Sequence, residues 1–341
     1  MLSNLGVSVP VLAAPMAGGP STPELVTAAA KAGALGFLAG GYKTPAALGE
    51  QIAAVREHGV PFGVNLFAPN PVPVDPAAFR EYAQALQPEA AAYGLDLASV
   101  APREDDDAWD EKVSMLLADP VPLVSFTFGI PPVDVLAALR RAGTLVAQTV
   151  TTAREALLAN ERGVDLLVVQ STEAGAHSGT FTPHQPPAPV PLKDLIAQVR
   201  AVTSVPVIAA GGLATPEAIA NVIAAGAVAA AVGTVLLRSD EAGTSPIHRE
   251  ALANPPGDGT TVITHAFTGR PARGLRNRFI SQFDDIAPLG YPALHHLTGP
   301  LRSAAAKAGD AGLVHLWAGT GYRHATDEHA GDILRHLTTS L

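Results

Sequence analysis

Three observations predict an α/β fold for this chain: an eight-stranded parallel (β/α)8 barrel with a smaller accessory region over the C-terminal mouth of the barrel. Eight short apolar runs recur between Val11 and Val232, each followed by a turn-rich loop and then a helix or room for one. The runs are continuously apolar rather than alternating, the pattern of parallel strands buried on both faces. After Arg238 the text becomes loop-rich and more polar. Eight strand–helix units fit a closed barrel. A doubly wound open sheet is the alternative that the pattern leaves open.

The first strand is expected over Val11–Ala14. Thr22 then caps a helix over Pro23–Ala32, with proline at the first position, where its missing N–H costs nothing. Leu35–Ala39 is the second strand, followed by Gly40-Gly41 and a helix over Pro45–Glu57. Phe62–Leu66 is the third, and the Pro-rich loop Phe67–Asp75 leads into helices over Ala77–Leu86, Glu89–Leu95 and Ala108–Ala118. Leu123–Thr127 precedes a helix over Val133–Ala142, and Leu145–Val150 precedes one over Thr152–Arg162. The last three strands are Leu166–Val169, Val205–Ala210 and Ala227–Val232, with helices near Leu192–Arg200 and Pro216–Ala225.

Residues 1–238 thus form the barrel, 239–310 an accessory or lid region, and 311–341 a helical segment that packs back on the barrel. Thr261–Phe267 reads as one more strand, and Leu316–Gly319 as an aromatic segment within the last region. No Ser/Gly linker separates these parts, so no tethered, independent domain is expected.

Composition narrows the function. Of 341 residues 48% are apolar and 16% charged, enough to bury a large core. A net charge of −9 without a basic tract argues against nucleic-acid binding. The absence of cysteine excludes disulfides, thiolate metal sites and a cysteine nucleophile. The N-terminal text has no basic region followed by a long apolar core, and no apolar run is long enough to span a membrane, so a cytoplasmic location is expected.

Candidate site residues gather at the strand ends, where parallel α/β folds place their active sites. Gly211-Gly212 and Gly233-Thr234 close adjacent strands and suit a phosphate, because glycine lets the ligand reach backbone N–H groups. Tight turns are the plainer explanation of the same glycines. Asn65 and Gln170 end apolar strands, and Gln148 sits similarly; such amides can hold a heteroaromatic ring edge, or merely finish a strand. Met16, in Ala14–Gly19, is placed to lie over an apolar ring. His177, in G-A-H-S-G, is the candidate general base. His295-His296 and His324/His329 lack metal-ligand spacing and are read as surface residues, so no metal is expected. Arg270, Arg273, Arg276 and Arg278 suit either an anion or a solvated or inter-subunit face.

Taken together these segments resemble the nitronate monooxygenase family, formerly 2-nitropropane dioxygenases, most closely its class I branch. The motifs are A-P-M-A-G-G at Ala14–Gly19, P-F-G-V-N-L-F at Pro61–Phe67, Q-S-T-E-A-G-A-H-S-G at Gln170–Gly179, A-A-G-G at Ala209–Gly212 and A-V-G-T at Ala231–Thr234. The resemblance continues through G-R-P-A-R-G-L-R-N-R at Gly269–Arg278 and L-W-A-G at Leu316–Gly319. It implies a TIM barrel with a second, smaller domain and a non-covalent FMN. The implied flavin contacts are Met16, Asn65, Gln148, Gln170, Gly175, Gly212, Ala231, Val232, Gly233 and Thr234, with His177 as the active-site histidine. The implied reaction is one-electron oxidation of an alkyl nitronate of the propionate 3-nitronate type, then reaction with dioxygen to a carbonyl compound and nitrite. The implied partners are a nitronate or nitroalkane and O2, in a monomer or homodimer. The family often reads G-G-H-R-G here, so Ala176 and Ser178 are departures.

Three other functions share parts of this pattern. An FMN-dependent NAD(P)H enoyl-thioester reductase of the FabK type has similar glycine and histidine motifs. A phosphate-ligand barrel enzyme without flavin would need only the glycines. A non-enzymatic flavin-binding protein would need no His177.

Overall fold

The computed structural model describes residues 5–185 and 188–341. The apolar runs become strands β1 (Val11–Ala13), β2 (Leu35–Ala39), β3 (Phe62–Ala68), β4 (Leu123–Phe128), β5 (Leu145–Val150) and β6 (Leu166–Gln170). A two-residue strand, β7 (Ala176–His177), leaves the barrel, and β8 (Val207–Ala210) and β9 (Ala229–Val232) complete it. All eight barrel strands are parallel, and β9 pairs with β1, with Leu12 opposite Ala231. That closure removes the open-sheet alternative.

Both faces of the strands are buried, which explains the unbroken apolar runs. Leu12, Phe37, Leu123, Leu166 and Ile208 belong to a small inner cluster. Their neighbours Val11, Val64, Val124, Leu167 and Val207 join the larger core beneath the helices. Those helices are α1 (Pro23–Lys31), α2 (Pro45–Arg56), α3 (Pro76–Ala91), α4 (Trp109–Ala118), α5 (Val133–Arg141), α6 (Ala153–Glu161), α7 (Leu192–Arg200) and α8 (Pro216–Ala224). Threonine hydroxyls at positions 22, 44, 152 and 215 accept a first-turn N–H of α1, α2, α6 and α8. Each such cap contributes roughly 1 kcal/mol.

The accessory part contains α9 (Pro246–Ala253), β10 (Thr261–Thr264), β11 (Ala272–Leu275), α10 (Arg278–Phe283) and α11 (Ala293–Lys307). It has its own core, in which Phe267, Phe279, Leu294, Leu297 and Leu301 pack with Phe79, Tyr82 and Leu86 of α3. Helix α3 therefore serves the accessory core although it lies within residues 1–238. The final helix, α12 (Ala330–His336), places Ile333 and Leu334 in the barrel core.

Two local expectations are corrected. The separate helices over Ala77–Leu86 and Glu89–Leu95 are one helix, α3, running through Pro88. Its buried stripe of Phe79, Tyr82, Ala83, Leu86 and Ala90 continues past the proline, and that burial offsets the lost backbone bond. The strand expected over Thr261–Phe267 stops at Thr264, because the Asp284 carboxylate accepts both the Thr264 hydroxyl and the His265 N–H. Among the described residues no helix is long and apolar enough to cross a membrane.

Candidate active site

A cavity of about 500 Å³ opens at the C-terminal ends of the barrel strands and is covered by the accessory part. That volume lies within the range of small-molecule and cofactor sites. Met16, Asn65, Gln170, Gly175, Gly212 and the run Ala231–Thr234 line it together with His177. Gln148 does not reach it. Its side-chain nitrogen donates to the carbonyls of Phe126, Gly129 and Thr149, so this amide secures β4 and β5 instead.

His177 is held by the accessory sheet. Strand β7 pairs antiparallel with β11, placing His177 opposite Ala272 and Ala176 opposite Arg273. From the barrel side, Gln170 Nε2 donates to the His177 carbonyl at 3.2 Å and its Oε1 accepts the Gly179 N–H at 2.7 Å. Gln170 thus fastens the histidine loop with most of its amide. The ring Nε2 lies 2.9 Å from the Thr268 hydroxyl. Phe128, Tyr291 and Trp317 surround the imidazole at centroid distances of 5.6, 5.8 and 5.7 Å. This enclosure, with the charges of Arg270 and Arg302, pushes the histidine down from its ordinary 6.5 to about 3. The ring is therefore neutral at physiological pH.

The residues at β8 and β9 fit a phosphate-bearing cofactor on direct observation. The backbone N–H groups of Gly212, Gly233 and Thr234 have no protein acceptor among the described residues. Thr234 Oγ1 accepts the Gly319 N–H at 3.0 Å, which leaves the hydroxyl proton to donate. A Cβ on Gly233 would meet nothing nearer than Met16 Sδ at 3.5 Å, so the space there belongs to the cavity. Gly212 has a different need for glycine. Its φ of +72° is left-handed, and a Cβ would come within 2.4 Å of Glu173 Oε2. Asn65 spends its amide nitrogen on Ser125 and Thr127, leaving its oxygen as an acceptor toward the cavity.

Several site residues escaped the sequence reading. His295, taken for a surface residue, lines the cavity and stacks on Tyr42 at 4.2 Å. His315, His248, Phe67, Tyr42 and Trp317 also line it. Tyr322, by contrast, belongs to the accessory core. Of the four arginines, Arg270 is fully buried, donating to the carbonyls of Asn70 and Thr180 beneath the Phe128 ring. Arg273 donates to Thr172 and Thr261, Arg278 pairs with Glu89 and Asp310, and Arg276 is exposed. The departure at Ser178 leaves the cavity untouched, since Ser178 is not among its lining residues.

Comparison with known proteins decides among the chemistries such a site allows. The family described as nitronate monooxygenase matches residues 1–340. The chain belongs to the nitronate monooxygenase family. It shares 34% identity over 331 residues with the probable nitronate monooxygenase of Bacillus subtilis (strain 168), covering 96% of this chain and 94% of that protein. A probable nitronate monooxygenase of Staphylococcus aureus (strain Newman) is 34% identical over 99% of this chain and 95% of its own length. The solved nitroalkane oxidase of Streptomyces ansochromogenes superposes with a TM-score of 0.93 at 45% identity, over 100% of this chain and 97% of that one. FabK from Thermotoga maritima superposes with a TM-score of 0.75 at 24% identity, over 98% and 93% of the two chains, a likeness of fold alone. Membership in the nitronate monooxygenase family makes the chain an enzyme, an oxidoreductase built on a TIM barrel and of a family that acts on nitronates.

Proposed function

We propose that this enzyme holds FMN non-covalently and oxidises alkyl nitronates of the propionate 3-nitronate type with O2, giving a carbonyl compound and nitrite. The observation that carries the reading is the pairing, in one cavity, of unpartnered backbone donors with a neutral, enclosed His177. The donors of Gly212, Gly233 and Thr234 would hold the phosphate. Met16, Asn65, Gln170, Gly175, Ala231 and Val232 would hold the ring system. When bound, FMN supplies the electron acceptance and oxygen chemistry that no side chain here offers.

The chain's own residues do the rest. No Asp or Glu lines the cavity among the described residues, and Arg302 is its one arginine or lysine, so the local field favours an anion. Phe128, Tyr291 and Trp317 pack around His177 and lower the local polarity, which strengthens that field. Thr268 fixes the imidazole plane.

A second reading, use of neutral nitroalkanes, is favoured by the likeness to the Streptomyces nitroalkane oxidase. There His177 must remove a carbon-bound proton. A base with a pKa near 3 has little driving force at neutral pH, since catalysis is best with a pKa near the working pH. Nitronates need no such step. Oxygen uptake and nitrite release should therefore be much faster with a nitronate than with its neutral nitroalkane at equal concentration. Equal rates, or a faster neutral substrate, would favour the second reading.

A further inference from the structure

Among the described residues, the one arginine lining the cavity has no acidic partner. Arg302 is 6% exposed, and no carboxylate lies within ion-pair distance among the described residues. Its hydrogen-bond partners are all neutral groups. Lys112 pairs with Asp107 at 2.7 Å, and Arg270 is occupied by two carbonyls and the Phe128 ring. A buried charge without an opposite charge is costly, and an anion entering the cavity would offset that cost.

The partners of Arg302 shape it for that role. Its Nε donates to Thr298 Oγ1 at 3.1 Å, and one Nη2 hydrogen goes to the His295 carbonyl at 2.9 Å. Its Nη1 lies 3.2 Å from His315 Nδ1, and its Nη2 lies 3.3 Å from His295 Nδ1. A guanidinium has no lone pair, so both Nδ1 atoms accept. Each ring therefore carries its proton on Nε2 and keeps a donor for something else. One Nη1 hydrogen is also left without a protein acceptor. Charge and donors thus converge at one end of the cavity.

The Trp317 ring packs against both imidazoles, 5.7 Å from His177 and 5.5 Å from His315. Arg302 lies on α11 of the accessory part, whereas the glycine ends belong to β8 and β9 of the barrel.

We propose that Arg302, held between His295 and His315, binds a carboxylate carried by the nitronate substrate and so determines specificity for doubly anionic substrates. This rests on the nitronate reading above. The site selects a carboxylate at the end of a short chain and does not take part in the oxidation itself.

The test compares holoenzyme and Arg302→Met on two nitronates of equal chain length, propionate 3-nitronate and propyl-1-nitronate, with FMN content measured for each preparation. The wild type should prefer the carboxylate substrate in kcat/KM. In Arg302→Met that preference should fall by about 100-fold, chiefly through KM, as expected for loss of a desolvated charge-assisted contact. Arg302→Lys should lose less, because the charge remains while the fork is lost. An equal loss on both substrates would overturn the proposal by placing Arg302 on the nitronate group. Loss of FMN would overturn it by assigning the arginine to the cofactor.

Calorimetric binding of propionate against propionamide to the wild type adds a readout independent of turnover and of variant folding. Propionate should bind at least about tenfold more tightly, and equal binding would contradict the site. Preferential propionate binding by a protein that oxidises neither nitronate would defeat the functional reading and leave the anion site standing.

Discussion

The Nε2 atom of His177 stands 2.9 Å from the hydroxyl oxygen of Thr268. That hydroxyl also reaches the Arg270 carbonyl, as a donor at 3.3 Å. With its single proton spent there, the Thr268 oxygen accepts from His177, which puts the imidazole proton on Nε2 and the free lone pair on Nδ1. Thr268→Val keeps the shape and removes the acceptor. FMN content should be unchanged and turnover about tenfold lower, from loss of a fixed tautomer; unchanged turnover would show that the ring is held by packing alone.

His177 is expected to matter unequally for the two substrate classes. His177→Ala should lower turnover of neutral nitroalkanes by up to about 100-fold, the low end of a general base's contribution, because its lowered pKa weakens the base. Turnover of nitronates should fall by only about tenfold, since no carbon-bound proton is removed. Parallel assays of both substrates settle the matter, and equal losses would assign the histidine to a shared step.

The phosphate cradle is tested best at Gly233. Its φ of −120° is not left-handed, and a Cβ would make only ordinary contacts with Met16 and Ala14. Gly233→Val should therefore fold normally and release FMN at concentrations where the wild type retains it. Retention of a full equivalent would place the phosphate elsewhere. Gly212→Val is a poorer test, because the left-handed backbone and Glu173 would both have to move.

Ala176 occupies a left-handed conformation, φ +62°, where the family motif usually carries glycine. A side chain there costs roughly 1 kcal/mol. Ala176→Gly should raise the thermal midpoint by a few degrees, less whatever the glycine adds to unfolded-chain entropy. A lower midpoint would mean that the methyl group's contacts outweigh the strain.

Burial lowers four histidines of the cavity: His177 to about 3, His248 to about 4, His295 to about 2, and His315 well below its ordinary value. Their folded values lie below the unfolded 6.5, so below that pH the unfolded chain binds more protons. Stability should be flat above about pH 6.5 and fall as the pH drops below it, by up to about 1.4 kcal/mol per pH unit for each histidine. Thermal midpoints measured across this range in the wild type and in His248→Gln check the sign. The variant should show the shallower acid slope, and an identical slope would remove His248 from the effect.

The barrel was legible because each strand is buried on both faces, and an unbroken apolar run such as Leu166–Val169 reports that directly. The glycine ends of β8 and β9 and His177 were legible because loop residues of these types serve few structural purposes. The Arg302 end of the cavity was not. His295 and Arg302 sit seven residues apart on α11, a spacing that also describes one polar face of a surface helix. Only the tertiary packing of α11 over the barrel turns that face inward. Tyr42 and Trp317 come from segments 275 residues apart, so no local pattern could join them. Gln148 shows the converse, for a buried amide at a strand end looks the same in sequence whether it faces a ligand or a carbonyl.

The most direct test of the central claim is the visible spectrum of the purified protein, reconstituted with FMN where needed, before and after anaerobic addition of propionate 3-nitronate. The account predicts a bound-flavin spectrum that the nitronate reduces without any pyridine nucleotide, and that air restores with release of nitrite. A flavin that ignores the nitronate but bleaches with NADH, or a protein that takes up no flavin at all, would contradict it.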